Sequence, residues 1–138
     1  MAEKGHCVTK HEIIQKLKAT LQHSYSTYSN VQVAAAIEYE LDGKSVFEFG
    51  VNVENASYGL TNCAERTAIY AAVTKGMRGI KRVYIISNLA EPIMPCGACR
   101  QVLMEFSQAD TPVTCFSADG ERDVALTMGE LLPHHFSL

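Results

Sequence analysis

Two short blocks hold the residue types that could do chemistry. Cys63-Ala64-Glu65 puts a thiol two residues from a carboxylate, and Pro95-Cys96-Gly97-Ala98-Cys99 places two thiols three residues apart just after a proline. Three thiolates can hold a zinc ion and leave its fourth position open for water. A carboxylate beside them can move that water's protons, which is the equipment of a metal-assisted hydrolase. A purely structural zinc would instead need a fourth ligand, such as Cys7, Cys115 or a histidine. Without any metal the cysteines would be small buried hydrophobes. Cys99 alone suits that role, because it falls on an apolar stripe. The adjacent His134 and His135 read as solvated residues near the C-terminus.

These blocks need elements to hold them. The pattern predicts a helix from Cys63 to Lys75, with Asn62 as N-cap and Gly76 as stop. A later helix is expected from Pro95 to Ser107, with Cys99, Val102, Leu103 and Phe106 at i, i+3, i+4 and i+7. The thiols then lie in the first turns of two helices, where partial positive charge and free N–H groups favour thiolates. Their spacing puts Cys96 and Cys99 on one helix face. Glu65 has a competing role, since Asn62-x-x-Glu65 fits a capping box with Glu65 reaching back to the Asn62 N–H. Arg66 is either a solvated helix arginine or a donor to the sulfurs, where it would offset the net negative charge that three thiolates leave on Zn²⁺.

The rest of the chain supplies a frame. Thr9-Lys10-His11-Glu12 reads as a capping box, followed by an apolar stripe of Ile13, Ile14, Leu17 and Leu21 on a helix fading near Tyr25. Strands are expected over Val31–Tyr39, Val46–Val51, Arg82–Ile86, Val113–Phe116 and Asp123–Ala125, with turns at Asp42-Gly43 and Asp119-Gly120 and a last helical segment over Thr127–Leu132. This order predicts a three-layer α/β/α sandwich, a mixed five-stranded sheet covered by helices. A length of 138 residues is read as one domain, 1–138, with room for a proper core.

Charge and composition narrow the function. The net charge is −3 and no lysine- or arginine-rich run occurs, so a phosphate-tracking surface is not indicated and no nucleic-acid partner is expected. No apolar stretch spans a membrane and the N-terminus lacks a signal-peptide core, which points to the cytoplasm. Five cysteines there suit metal binding with bystanders better than disulfides. Cys7 and Cys115 receive no role.

Cys63-Ala64-Glu65-Arg66-Thr67-Ala68-Ile69 and Pro95-Cys96-Gly97-Ala98-Cys99-Arg100-Gln101-Val102 closely resemble the two signature blocks of cytidine deaminases of the small, three-cysteine, homotetrameric type. Asn52-Val53-Glu54-Asn55-Ala56 is similar to that family's nucleoside-binding block, and the resemblance covers Tyr28 to Phe136. It implies the cytidine deaminase-like fold, zinc held by Cys63, Cys96 and Cys99, and hydrolytic deamination of cytidine and 2′-deoxycytidine in pyrimidine salvage. Glu65 would take a proton from the zinc-bound water and deliver it to N3 and then to the departing ammonia, as hydroxide attacks C4. Asn52 and Glu54 would bind the sugar hydroxyl, and the Ala64 N–H and Pro95 carbonyl would read the pyrimidine edge. Ala56 to Tyr58 and Phe136 would reach a neighbouring subunit's site, which makes the oligomer part of the activity.

Two positions depart from the family pattern. Val31 stands where a phenylalanine is expected against the pyrimidine, and Ala34 stands where a glycine is expected. Losing an aromatic stack removes about 0.5–1.5 kcal/mol beyond area. That leaves room for an alternative substrate, an aminopyrimidine nucleoside such as blasticidin S.

Overall fold

In the computed structural model, which describes residues 8–138, the chain opens with helix α1, Lys10–Leu21. Thr9 caps it by accepting from the Glu12 N–H at 3.1 Å, one half of the capping box expected there. The helix ends at Leu21, short of Tyr25, because the apolar stripe ends there and Gln22-His23-Ser24 has nothing to bury. Tyr25 instead bridges to Val53. Strands β1 (Val33–Leu41) and β2 (Lys44–Val51) form a hairpin paired down to Leu41 and Lys44. Its turn residues Asp42 and Gly43 both have positive φ, 53° and 76°, the left-handed pair that a two-residue hairpin demands. β1 begins at Val33 and not Val31. Asn30 turns the chain with φ 60°, and the Val31 and Gln32 N–H groups go to Ser29 Oγ and Asn88 Oδ1.

The remaining elements are α2 (Ala64–Thr74), β3 (Ile80–Ser87), α3 (Gly97–Glu105), β4 (Pro112–Phe116), β5 (Asp123–Thr127) and α4 (Met128–Leu131). The five strands run in the order β2-β1-β3-β4-β5. β1 is antiparallel to both neighbours, β3 and β4 are parallel, and β5 is antiparallel to β4. This is the expected mixed five-stranded sheet.

Alternating side chains sort onto two faces. Ala34, Ala36, Ile86 and Phe116 pack under α1 with Ile13, Ile14, Leu17 and Leu21. Ala35, Ile37, Val83, Ile85, Val113 and Cys115 face the other way, against Ala68, Ile69 and Ala72 of α2, Leu103 of α3 and Met128 of α4. Each fully buried valine, leucine, isoleucine, phenylalanine or methionine side chain contributes about 1.5–3 kcal/mol, and each alanine less. The three layers follow from this sorting, and Ala34 seats its methyl group in the α1 layer.

Topology then positions the site. β2 and β3 both run antiparallel to β1, so their C-terminal ends lie at the same edge of the sheet. α2 follows β2 and α3 follows β3, so both helices start at that edge, where open α/β sheets place their sites. Gly50 lets α2 sit close on β2. A Cβ there would lie 2.5 Å from the Ala68 N and 2.7 Å from the Ala64 carbonyl oxygen.

Candidate metal centre

Cys63 and Cys96 are the N-caps of α2 and α3, in extended conformation, with φ/ψ of −73°/157° and −66°/168°. Asn62 is therefore not the cap. Its side chain is directed to Thr67 Oγ1, and the predicted capping box with Glu65 does not form. Glu65 is one position nearer the helix start than a capping-box glutamate and is free of that duty.

The sulfurs of Cys63, Cys96 and Cys99 lie within 4.8 Å of one another. The Cys63–Cys96 separation is 3.8 Å. Tetrahedral zinc with bonds of about 2.3 Å needs sulfurs about 3.8 Å apart, so this edge is already at binding distance. Cys99 is buried, Cys63 half-buried and Cys96 exposed, which leaves one approach from solvent. Among the described residues no fourth Cys, His, Asp or Glu joins the group. Cys115 lies in the core between sheet and helices, its thiol pushed up to about 12 by burial and by nearby Glu65. Cys7 lies outside the described residues.

The charges fit a cation. A hydrogen bond from the Cys99 thiol, with help from Arg66 and Cys96, brings the Cys63 thiol down to about 5. The same contact with Cys63, burial and Glu65 push the Cys99 thiol up. A divalent cation held between the sulfurs would stabilise the thiolate form of its ligands. Arg66 Nη2 donates to Cys63 Sγ at 3.3 Å, so the guanidinium is a sulfur partner and not a solvated surface group. Glu65 is 4% exposed, and burial raises its pKa against an opposing hydrogen bond with Cys99. A carboxyl group that holds protons readily thus stands against the thiol cluster.

The other expected residues divide into two sets. Ala64 is buried at the first position of α2, and buried Pro95 offers its carbonyl to Arg100 Nε at 2.7 Å. Glu54 and Tyr58 line a cavity of about 340 Å³ with Tyr28, Ser29, Asn55 and Thr61. Glu54 Oε1 accepts from the Tyr28 and Ser29 N–H groups at 2.9 and 3.1 Å, and Oε2 accepts from Ser29 Oγ. Those bonds, led by the Ser29 hydroxyl, lower its pKa. Asn52 is buried and already engaged. Its Oδ1 accepts from Ser24 Oγ and the Val33 N–H, and its Nδ2 donates to the Val31 carbonyl at 2.8 Å. It therefore braces the entry to β1, beyond the sugar contact the sequence suggests. Ala56 is exposed, and Phe136 on the C-terminal segment is 70% exposed. His134 and His135 are exposed and outside the thiol cluster. Sequence reasoning gave no separate role to Ser29 and Arg100. The serine following Tyr28 and the arginine directly after Cys99 were the available signals.

A family model for the cytidine and deoxycytidylate deaminase zinc-binding region matches residues 8–115. The chain belongs to this family. Among relatives of this zinc-dependent deaminase, the cytidine deaminase of Halalkalibacterium halodurans is 41% identical over 125 residues, 91% of this chain and 92% of the relative. That of Sporosarcina psychrophila is 39% identical over 126 residues, with 91% and 90% covered. The crystal structure of cytidine deaminase from Burkholderia pseudomallei superposes with a TM-score of 0.82 at 40% identity, covering 94% of this chain and all of that one. Cys63, Cys96 and Cys99 all fall within the matched zinc-binding region, and their sulfurs form a cluster able to hold a metal ion. No helix among the described residues is long and apolar enough to cross a membrane.

Proposed function

We infer that this chain converts cytidine and 2′-deoxycytidine, with water, to uridine and 2′-deoxyuridine plus ammonia. The observation that carries this is the buried Glu65 carboxyl beside three thiols at zinc-binding distance. A bound zinc ion supplies a Lewis acid that lowers the pKa of water and orients it. Cys63, Cys96 and Cys99 would hold it, and Arg66, donating to the Cys63 sulfur, would offset the excess negative charge of the thiolates.

Glu65 moves the protons. Its burial raises the proton affinity of the carboxylate, so it can take a proton from water and hand it to base N3 and then to the departing amine. The Ala64 N–H and the Pro95 carbonyl read the pyrimidine edge as donor and acceptor. Glu54, held by Tyr28 and Ser29, keeps acceptor capacity on Oε2 for a sugar hydroxyl. Asn52 holds the strand entry beside it and has one amide N–H left for the sugar.

The 138 residues act as one domain in a cytoplasmic homotetramer serving pyrimidine salvage. Tyr58 and Phe136, 77% and 70% exposed in one chain, are available to a neighbour's site together with Ala56. The blasticidin-type alternative is not favoured, because the relatives are cytidine deaminases. The net charge of −3 supports a free nucleoside over a polynucleotide.

Metal removal tests the reading. A strong chelator should abolish release of ammonia from cytidine, and Zn²⁺ but not Mg²⁺ should restore it, because thiolates select zinc. Undiminished turnover in metal-free protein would overturn it.

A further inference from the structure

Arg100 joins three pieces of backbone. Its own N–H closes the first helical bond of α3 on the Cys96 carbonyl at 3.0 Å. Its Nε donates to the Pro95 carbonyl at 2.7 Å. Its Nη1 donates at 2.9 Å to the carbonyl of Leu131, the last residue of α4. Next to it, Gln101 Nε2 donates to the Phe136 carbonyl at 3.2 Å. One residue thus takes both carbonyls that lead into α3 and ties them to the C-terminal segment.

The Pro95 carbonyl needs such a partner. Proline fixes its own φ but leaves ψ free, and ψ decides where its carbonyl points. A charged donor at 2.7 Å makes a strong, directional bond that removes this freedom. A carbonyl oxygen has two lone pairs, so one remains for a second donor. Cytosine offers a donor at the reacting carbon, its exocyclic 4-amino group.

We propose that Arg100 is a positioning residue for the 4-amino group, aiming the free lone pair of the Pro95 carbonyl without touching the substrate. This rests on the assignment of that carbonyl to the pyrimidine edge. Arg100 recognition should therefore be selective for ligands that carry the amino group. A residue that merely held α3 in place would affect every ligand of the site alike.

The test compares cytidine with pyrimidin-2-one riboside, which has hydrogen in place of the 4-amino group, on zinc-loaded wild type, Arg100→Gln and Arg100→Lys. In Arg100→Gln, kcat/KM for cytidine should fall by about tenfold or more, the scale of a lost charged hydrogen bond. The inhibition constant of the pyrimidinone riboside should stay within about twofold of wild type, with zinc content unchanged. Lysine keeps the charge but not the planar fork, so Arg100→Lys should show the same selective loss to a smaller extent. It carries the test if Arg100→Gln does not fold. Equal weakening of both ligands, or no loss with cytidine, would overturn the assignment of Arg100. Wild-type protein that fails to turn over cytidine would instead overturn the functional reading beneath it.

Discussion

Burial gives Glu65 its proton-holding character, and the absence of a capping duty leaves it free to use it. The residue is 4% exposed on the second position of α2, and its cap is supplied by Cys63 instead of Asn62. Glu54 shows the opposite environment. It is half-buried, and hydrogen bonds from the Ser29 hydroxyl and from the Ser29 and Tyr28 N–H groups stabilise its carboxylate, lowering its pKa from 4.5. The folded pKa lies below the unfolded one. The stability these bonds give is therefore present above about pH 4.5 and is lost as pH falls through the lower folded value. In Ser29→Ala the largest of these contributions disappears, so Glu54 should titrate at higher pH in a carbon-13 NMR titration of the carboxylate. An unchanged titration would show that the Ser29 hydroxyl does not hold Glu54.

Helix placement depends on a small contact on the sheet. With no side chain at Gly50, the backbone of α2 approaches β2 to a distance that a Cβ would occupy, at 2.5 Å from the Ala68 N. Gly50→Ala should push α2 outward, carrying Cys63 and Glu65 with it. We expect a loss of about 1–3 kcal/mol in chemical denaturation, the usual cost of overpacking, together with weaker zinc retention against a chromophoric chelator. A variant with wild-type stability would show that α2 adjusts freely. Much at this scale was legible in the chain. Val31–Tyr39 read as a strand, which forms two residues later at Val33–Leu41, and Asp42-Gly43 marked its turn. The cap of α2 was not legible, because residue preferences favour Asn over Cys while the sulfur is held by a facing helix distant in sequence. The bracing by Asn52 and the clamp of Arg100 on Leu131 were hidden for the same reason. Each joins segments 19 to 31 residues apart, and no local pattern encodes such a contact.

For the molecule as a whole, the topology explains why three thiols from two separate blocks meet. Antiparallel pairing of β1 with both neighbours brings the C-terminal ends of β2 and β3 to one edge, and the helices that follow begin there. The candidate zinc ligands were readable from spacing because they sit at the N-caps and in the first turn of those helices. The exposed Tyr58 and Phe136 have no such explanation within one chain. If they complete a neighbour's site, sedimentation should read four chains, and dilution below the dissociation point should lower the activity per chain. A fully active monomer would remove that role. We propose that Glu65 moves protons at a zinc centre of three thiolates. The most direct test follows the ultraviolet absorbance of cytidine with zinc-loaded wild type and zinc-loaded Glu65→Ala. The cytosine band should disappear with wild type, and the rate should be lower by about 10²–10⁴-fold in the variant at equal zinc content. Equal rates in the two proteins, or an unchanged band with zinc-loaded wild type, would contradict it.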